Sequence, residues 1–330
     1  MNQNCLIVGA GIAGIIAGRR LQKAGWQVTL LEKAKTCGGR MATREFGEAV
    51  FDFGTQFFTV HAMFFRVLVE GLQDEGIVKE WCRGFLNGDR ILSLDGYLRF
   101  YGSRGMSAVA QHLADPLDVR LQEEATGIEA VGPNWHVRCK SGAEFEAAAL
   151  ILTPPLPQAL QLVQQIPAFG FEEELEKRLK EVKYDPAIVL MASLDGPSGI
   201  PEPGAIASSD PLSPIGWLAD NKIKGISPTD CVTIQGTAHF SRQHWKLDRE
   251  EAGEKLWKAA QPLLAAARIE SQVHGWRYAA PQSILHESCL LIHSAPPLLL
   301  AGDAFGDMFN PLEGAAVSGL EAAKHLVKHS

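Results

Sequence analysis

Positive charge is scarce in this chain: 31 lysines and arginines stand against 38 aspartates and glutamates, a formal charge of −7 over 330 residues. That balance offers no electrostatic footprint for a polyanion and excludes nucleic acid as an expected partner. Long apolar runs are also missing. The longest near the start, Cys5 to Gly18, is broken by glycines and falls short of the roughly 20 residues of a spanning helix. With no positively charged segment ahead of it, the expectation is a soluble cytoplasmic protein with no membrane association. The six cysteines (Cys5, Cys37, Cys82, Cys139, Cys231, Cys289) form no CxxC pair and no cysteine-histidine cluster. This argues against a zinc module or a disulfide scaffold, so reduced thiols and no metal are expected. The 32 glycines and 18 prolines follow no period, which rules out collagen-like and low-complexity chains.

What remains is a chain 46% hydrophobic, with material for a sizeable core in one large or two intertwined domains. Asn4 to Val8 is a short apolar run that enters GAGIAG at once. Helix formers follow from Ile12 to Ala24, Gly25 stops them, and Gln27 to Leu31 is apolar again. Strand, glycine turn, helix and strand make the unit of a right-handed parallel crossover. From Leu117 to Leu152 the runs Val119 to Leu121, Gly127 to Val131, Trp135 to Cys139 and Phe145 to Leu152 alternate, with breaks at Gly132-Pro133-Asn134 and Ser141-Gly142. They predict a small antiparallel meander whose last run returns to the parallel sheet. Further on, strands are expected over Ala187 to Leu194, Cys231 to Phe240 and Pro297 to Ala301. A helix kinked or split by Pro262 is expected over Arg249 to Arg268, and a final amphipathic helix over Gly314 to His329.

Gly9, Gly11 and Gly14 have GxGxxG spacing. The first allows a tight turn, the second lets the backbone approach a pyrophosphate, and the third lets the helix pack on the strand. The pyrophosphate would sit at the helix N-terminus, beside the N–H of Ala13. Glu32, at the end of the second strand, can accept hydrogen bonds from an unphosphorylated adenosine ribose, as in NAD or FAD. In KAKTCGGRMATR, Gly38 and Gly39 let the backbone lie against a cofactor, and Arg40 can clamp a phosphate through its planar fork.

GAGIAG, then Glu32-Lys33, then GGRM resembles the opening of the FAD-dependent amine oxidase superfamily. The segments DFGTQFFT (52–59), RGMSAVAQHL (104–113), ILTPPLPQA (151–159), HGWRYAAP (274–281) and AGDAFGDMFNPLEGAAVSGLEAAKHL (301–326) are similar to those of its renalase-like flavoproteins. The resemblance implies an α/β fold: a Rossmann-type, glutathione-reductase-like FAD-binding domain of parallel sheet plus β-meander, with a second mixed α+β substrate domain. The FAD-binding domain would be discontinuous, over 1–60, 100–155 and 285–330, and the substrate domain would take 61–99 and 156–284.

The resemblance further implies that Gly9, Gly11, Ala13, Gly14, Glu32, Lys33, Gly39 and Arg40 hold the cofactor. It places Gln56 and Phe57 beside the isoalloxazine, where a Gln can bond the pyrimidine edge and an aromatic supplies a wall. Core packing is the alternative reading for Phe57 and Phe58. Gly302 and Asp303 would meet the ribityl chain or pyrophosphate. Glu313, Gly314 and Ala315 would open the last helix toward the flavin N1 and O2 edge. Ala125 stands where the superfamily usually has a valine that contacts adenine. No Ser-Gly-Gly-Cys-Tyr segment is present, so FAD is expected to be noncovalent.

The implied reaction takes hydride from 2- and 6-dihydro isomers of NAD(P)H to flavin N5 and passes the electrons to O2, giving NAD(P)+ and H2O2. An amine oxidase or desaturase of the same superfamily, an NAD-dependent dehydrogenase and a flavin-binding protein without turnover are the alternatives. Gln56, His274 and Trp276 are the candidates for the reactive face. His274, Trp276 and Tyr278 would share one strand face, and His239 is a further candidate. Against this, a Trp and Tyr on one strand face are commonly core and a lone His is commonly structural. Arg242 and Lys183 could meet a dinucleotide phosphate, but isolated cations are ordinarily solvated surface.

Overall fold

The computed structural model describes residues 3–166, 170–308 and 310–329. Asn4–Val8 forms a strand, the Gly9 turn feeds the helix Ile12–Lys23, and Gln27–Glu32 pairs parallel to the first strand from Asn4↔Gln27 to Val8↔Leu31. These strands lie inside a six-stranded sheet. Its order is Leu290–Ser294, Pro297–Leu300, Ala149–Leu152, Asn4–Val8, Gln27–Glu32 and Asp118–Leu121, with only the first pair antiparallel. Its central strands are almost wholly apolar, as befits a parallel sheet covered on both faces. The final helix, Pro311–Lys328, packs on the first, and the approach is close enough that a Cβ at Gly319 would lie 2.0 Å from the Ala13 carbonyl oxygen.

A three-stranded antiparallel meander follows the expected pattern over Ala125–Val131, Asn134–Cys139 and Glu144–Ala147. The run Val119 to Leu121 does not belong to it. Asp118–Leu121 pairs parallel to Gln27–Glu32 as the exposed edge of the larger sheet, and its exposed face is what makes it look like a hairpin strand. The run Phe145 to Leu152 divides at Ala148, whose N–H donates to Asn4 Oδ1 at 2.9 Å. The second half, Ala149–Leu152, joins the parallel sheet.

A second large sheet, of seven strands, is ordered Arg268–Pro281, Tyr184–Leu194, Cys231–Gly236, Ile215–Asp220, Ala205–Ala207, Gly84–Leu86 and Leu92–Leu94. The helix Arg249–Ala260 covers one of its faces, starting at Asp248, whose carboxylate accepts from Glu250 N–H. Pro262 sits in a 3-10 turn, Gln261–Leu263, that ends this helix, so there is no longer kinked helix. The expected strand Cys231 to Phe240 stops at Gly236. Thr237 Oγ1 accepts from Phe240 N–H and starts the short helix Ala238–His244. The last helix begins three residues earlier than expected, with Pro311 at its first turn. Among the described residues no helix is long and apolar enough to cross a membrane.

Candidate functional site

A cavity of about 960 Å³ lies between the carboxyl ends of the parallel strands and one face of the seven-stranded sheet. Val8, Glu32, Thr153 and Gly302 line it from the first side, where open α/β sheets bind ligands. Ala187, Val189, Gln235, His274 and Trp276 line it from the second.

The glycine turn is shaped by close contact. Gly9 has φ +99°, and a Cβ there would meet Thr153 Oγ1 at 2.6 Å. A Cβ at Gly14 would lie 2.0 Å from the Gly9 carbonyl oxygen, so the third glycine is what lets helix and strand touch. At Gly11 the same space is open and faces the cavity. The helix behind it has no side-chain cap and no acid in its first turn, and Ala13 lines the cavity, so the unpaired N–H groups of this end are free for an anion. Glu32 is buried, and its carboxylate accepts from Ala10 N–H and Ala34 N–H, each at 2.9 Å. Those bonds fix its rotamer and leave acceptor sites toward the cavity. Lys33, Gly39 and Ala125 also line this end.

Arg40 lines the cavity with its charge already engaged. One Nη donates to Asp303 Oδ2 at 2.6 Å and to the carbonyls of Tyr278 and Ala279 at 3.2 Å. Asp303 also accepts from Tyr184 O–H at 3.0 Å, and that phenol is pushed well above its ordinary pKa by burial and by the Asp303 charge. Arg40 thus ties the glycine turn to two distant segments.

Gln56, Phe57, Glu313 and Gly314 do not reach the cavity. Gln56 is buried, donating to the Asp52 carbonyl at 2.6 Å and to that of Gly54, while its Oε1 accepts from Trp217 Nε1. Its neighbours Gly54 and Thr55 take the cavity wall. Phe57 packs in an aromatic cluster with Trp81, Phe85 and Trp217. The Glu313 carboxylate accepts from His61 and Ala62 N–H and so caps the helix Met63–Asp74. Gly314 lies against the backbone of Gly306 and Asp307. Pro311, Leu312 and Ala315 are the residues through which the last helix faces the cavity.

His274 and Trp276 both line the cavity, as does Tyr278. Trp276 stacks on Phe53 at 5.4 Å and donates from Nε1 to the Phe53 carbonyl, while His274 packs edge-on against both rings. Burial, helped by Arg44 and Arg249, pushes His274 down to about 4, so its imidazole is neutral at pH 7. His239 lies elsewhere, in a smaller cavity. Tyr184, Gln235 and the Gly54-Thr55 backbone were not legible as site residues. Tyr184 lay outside the expected strand Ala187 to Leu194, which begins three residues earlier than its apolar run, at Tyr184.

An uncapped helix end, open space at Gly11 and an oriented buried acid fit a dinucleotide, and the second sheet closes a chamber beside it. That is the architecture of a two-domain flavoprotein. Residues 7–69 match the NAD(P)-binding Rossmann-like domain, and residues 76–327, more than half of the chain, match the flavin containing amine oxidoreductases. The chain belongs to this flavin amine oxidoreductase family, its cofactor is FAD, and it is an FAD-dependent oxidoreductase.

A renalase from Mus musculus is 26% identical over a 344-residue alignment that covers 98% of this chain and 99% of the relative. A 1-hydroxycarotenoid 3,4-desaturase from Flavobacterium sp. is 41% identical over 58 residues, 18% of this chain and 12% of that protein. Among solved structures, a putrescine oxidase superimposes with a TM-score of 0.74 at 13% identity, covering 99% of both chains. A putative protoporphyrinogen oxidase from Exiguobacterium sp. superimposes with a TM-score of 0.72 at 12% identity, covering 100% of both. These two likenesses concern the fold.

Proposed function

We propose that this protein is an oxidase of the 2- and 6-dihydro isomers of NAD(P)H, forming NAD(P)+ and H2O2. The observation that carries the reading is the wall made by His274 and Trp276. Its planar element is the Trp276 indole, backed by the parallel Phe53 ring with His274 set edge-on beside both, and it is uncharged at neutral pH, and so suits an electron-rich planar ring. Collinearity with a renalase over nearly both full lengths supports the same reading.

Bound FAD supplies hydride acceptance and the passage of the electron pair to O2. Gly9, Gly11, Gly14 and Ala13 would shape the seat of its pyrophosphate, Glu32 would accept from its adenosine ribose, and Arg40 with Asp303 would hold the turn against the cofactor. We assign cofactor binding to 1–60, 100–155 and 285–330 and the substrate side to 61–99 and 156–284. The membership of the two large sheets supports this division. Trp276 offers its indole face to a ring that leaves as a cation, and neutral His274 adds no repelling charge. Gln235 Nε2 donates to the Gly54 carbonyl at 2.8 Å and ties that backbone to the second sheet at the chamber wall. Loss of hydride from a dihydropyridine requires no side-chain base, so the reduction step needs no proton moved by a residue here, and the one proton that completes H2O2 is taken from solvent.

The test is anaerobic mixing of the flavin-loaded protein with 2- and 6-dihydroNAD(P), ordinary NADH and a panel of amines. Rapid bleaching by an isomer, reversed by air with release of H2O2, is the expected outcome. Bleaching by amines alone overturns the reading.

A further inference from the structure

Beside the large cavity lies a second one of about 450 Å³, lined in part by Ser208, Ser209, Thr237, His239 and Arg242. The two share Ala238. One continuous stretch of backbone leads between them: Gln235 and Gly236 line the large cavity, and Thr237, Ala238 and His239 follow into the small one. The steps from Gln235 to Ala238 are extended and the last, to His239, is helical, so the stretch spans about 11 Å at ~3.3 Å per extended and ~1.5 Å per helical residue, enough for one ribose phosphate.

Part of the small cavity's polar lining is committed to its own walls. Thr237 Oγ1 donates to the Ser213 carbonyl and accepts from Phe240 N–H, Ser208 Oγ accepts from Asp210 N–H, and Asp210 accepts from Leu212 N–H. Ser209, His239 and Arg242 remain to face a ligand, and so does the second carboxylate oxygen of Asp210, from which a phosphate has to stand off on the Arg242 side. Arg242 is paired with Asp185, which lines the large cavity, but the guanidinium is half exposed and the carboxylate partly so, which leaves the pair of little net worth. Asp185 has a second partner in Gln282 Nε2, at 2.7 Å, and stays bonded if the guanidinium turns away. A phosphate offers that guanidinium a stronger, bidentate contact.

We propose that this second cavity receives the phosphate-bearing end of a dinucleotide substrate, with Arg242 exchanging Asp185 for a phosphate. The inference rests on the functional reading above and extends it from the nicotinamide ring to the rest of the substrate.

The experiment uses the FAD-loaded protein and one dihydronicotinamide isomer prepared as riboside, mononucleotide and dinucleotide, alongside calorimetric titration with ADP-ribose. The expected result is that R242A lowers the ratio of kcat/KM for the dinucleotide to that for the riboside by at least about tenfold, acting through KM, and abolishes ADP-ribose binding. D185N, which releases Arg242, shifts the ratio and the ADP-ribose affinity the other way, and keeps the test decisive if R242A folds poorly. An unchanged ratio in R242A, or a shift in the same direction from both variants, overturns the subsite. If no isomer reacts while Arg242-dependent ADP-ribose binding persists, the functional reading fails and the subsite stands.

Discussion

The guanidinium of Arg40 and the carboxylate of Asp303 are 263 positions apart in the chain and meet at 2.6 Å on the wall of the dinucleotide cavity. Asp303 is nearly buried, so removing either partner leaves a poorly solvated charge beside the cofactor seat. R40Q and D303N are each expected to weaken FAD binding by roughly 10- to 100-fold, the range of a charge-assisted hydrogen bond. The double variant should lose less than the sum of the two. Fluorescence titration of the apoprotein with FAD measures all three.

Gly319 is where the last helix crosses the first, and any side chain there meets the Ala13 carbonyl. G319A is expected to cost about 1–3 kcal/mol, read as a lower urea midpoint. It should also reduce FAD occupancy, since the pushed residue belongs to the turn that holds the pyrophosphate. G71A is the control: nothing lies within 4 Å of a Cβ there and φ is not positive, so it should be neutral or stabilise by up to about 1 kcal/mol.

Legibility in the sequence followed the range of the interactions. Gly9, Gly11, Gly14 and Glu32 could be read because strand, turn and helix interact within one crossover, and the structure sets all but Gly14 on the cavity surface. The turn Gly54 to Phe57 could not. Which of its residues face the chamber is decided by Gln235 and Trp217, both more than 150 positions away in the chain, together with the backbone of Arg40, and they place Gly54-Thr55 on the wall and Gln56-Phe57 behind it. Glu313 sits at the right end of the right helix, but the backbone donors of His61 and Ala62 claim its carboxylate. Asp118–Leu121 alternates like a meander strand, and only its partner makes it an edge of the parallel sheet.

His274 gives a pH prediction. Its imidazole has a pKa near 4 in the fold against 6.5 when exposed, so the unfolded chain takes up a proton over that interval and the folded chain does not. Its contribution to stability is complete above pH 6.5 and is lost as pH falls toward 4. H274Q removes the group that titrates. Urea unfolding at pH 7, 5.5 and 4.5 should show a shallower acid loss for H274Q than for the parent protein.

Lys224 and Asp52 form an ion pair with both side chains fully buried. Lys224 Nζ lies 2.6 Å from Asp52 Oδ2 and also donates to the Gln56 carbonyl at 2.7 Å. Burial pulls the lysine pKa down and the Asp52 charge works against that. The other carboxylate oxygen, Oδ1, accepts from Thr43 Oγ1 and Met106 N–H, so the pair holds in place the segment from which Gly54 and Thr55 reach the cavity. K224M leaves Asp52 charged without its partner and is expected to cost about 3–5 kcal/mol. In D52N/K224M the amide oxygen can keep both Oδ1 bonds and the new N–H donors face the vacated Gln56 carbonyl. The double variant should therefore be more stable than K224M alone, with a coupling of about 1–3 kcal/mol in a urea double-mutant cycle. A double variant no more stable than K224M would mean that the lysine acts by filling space beside Trp81 and Tyr101, with its charge making no difference.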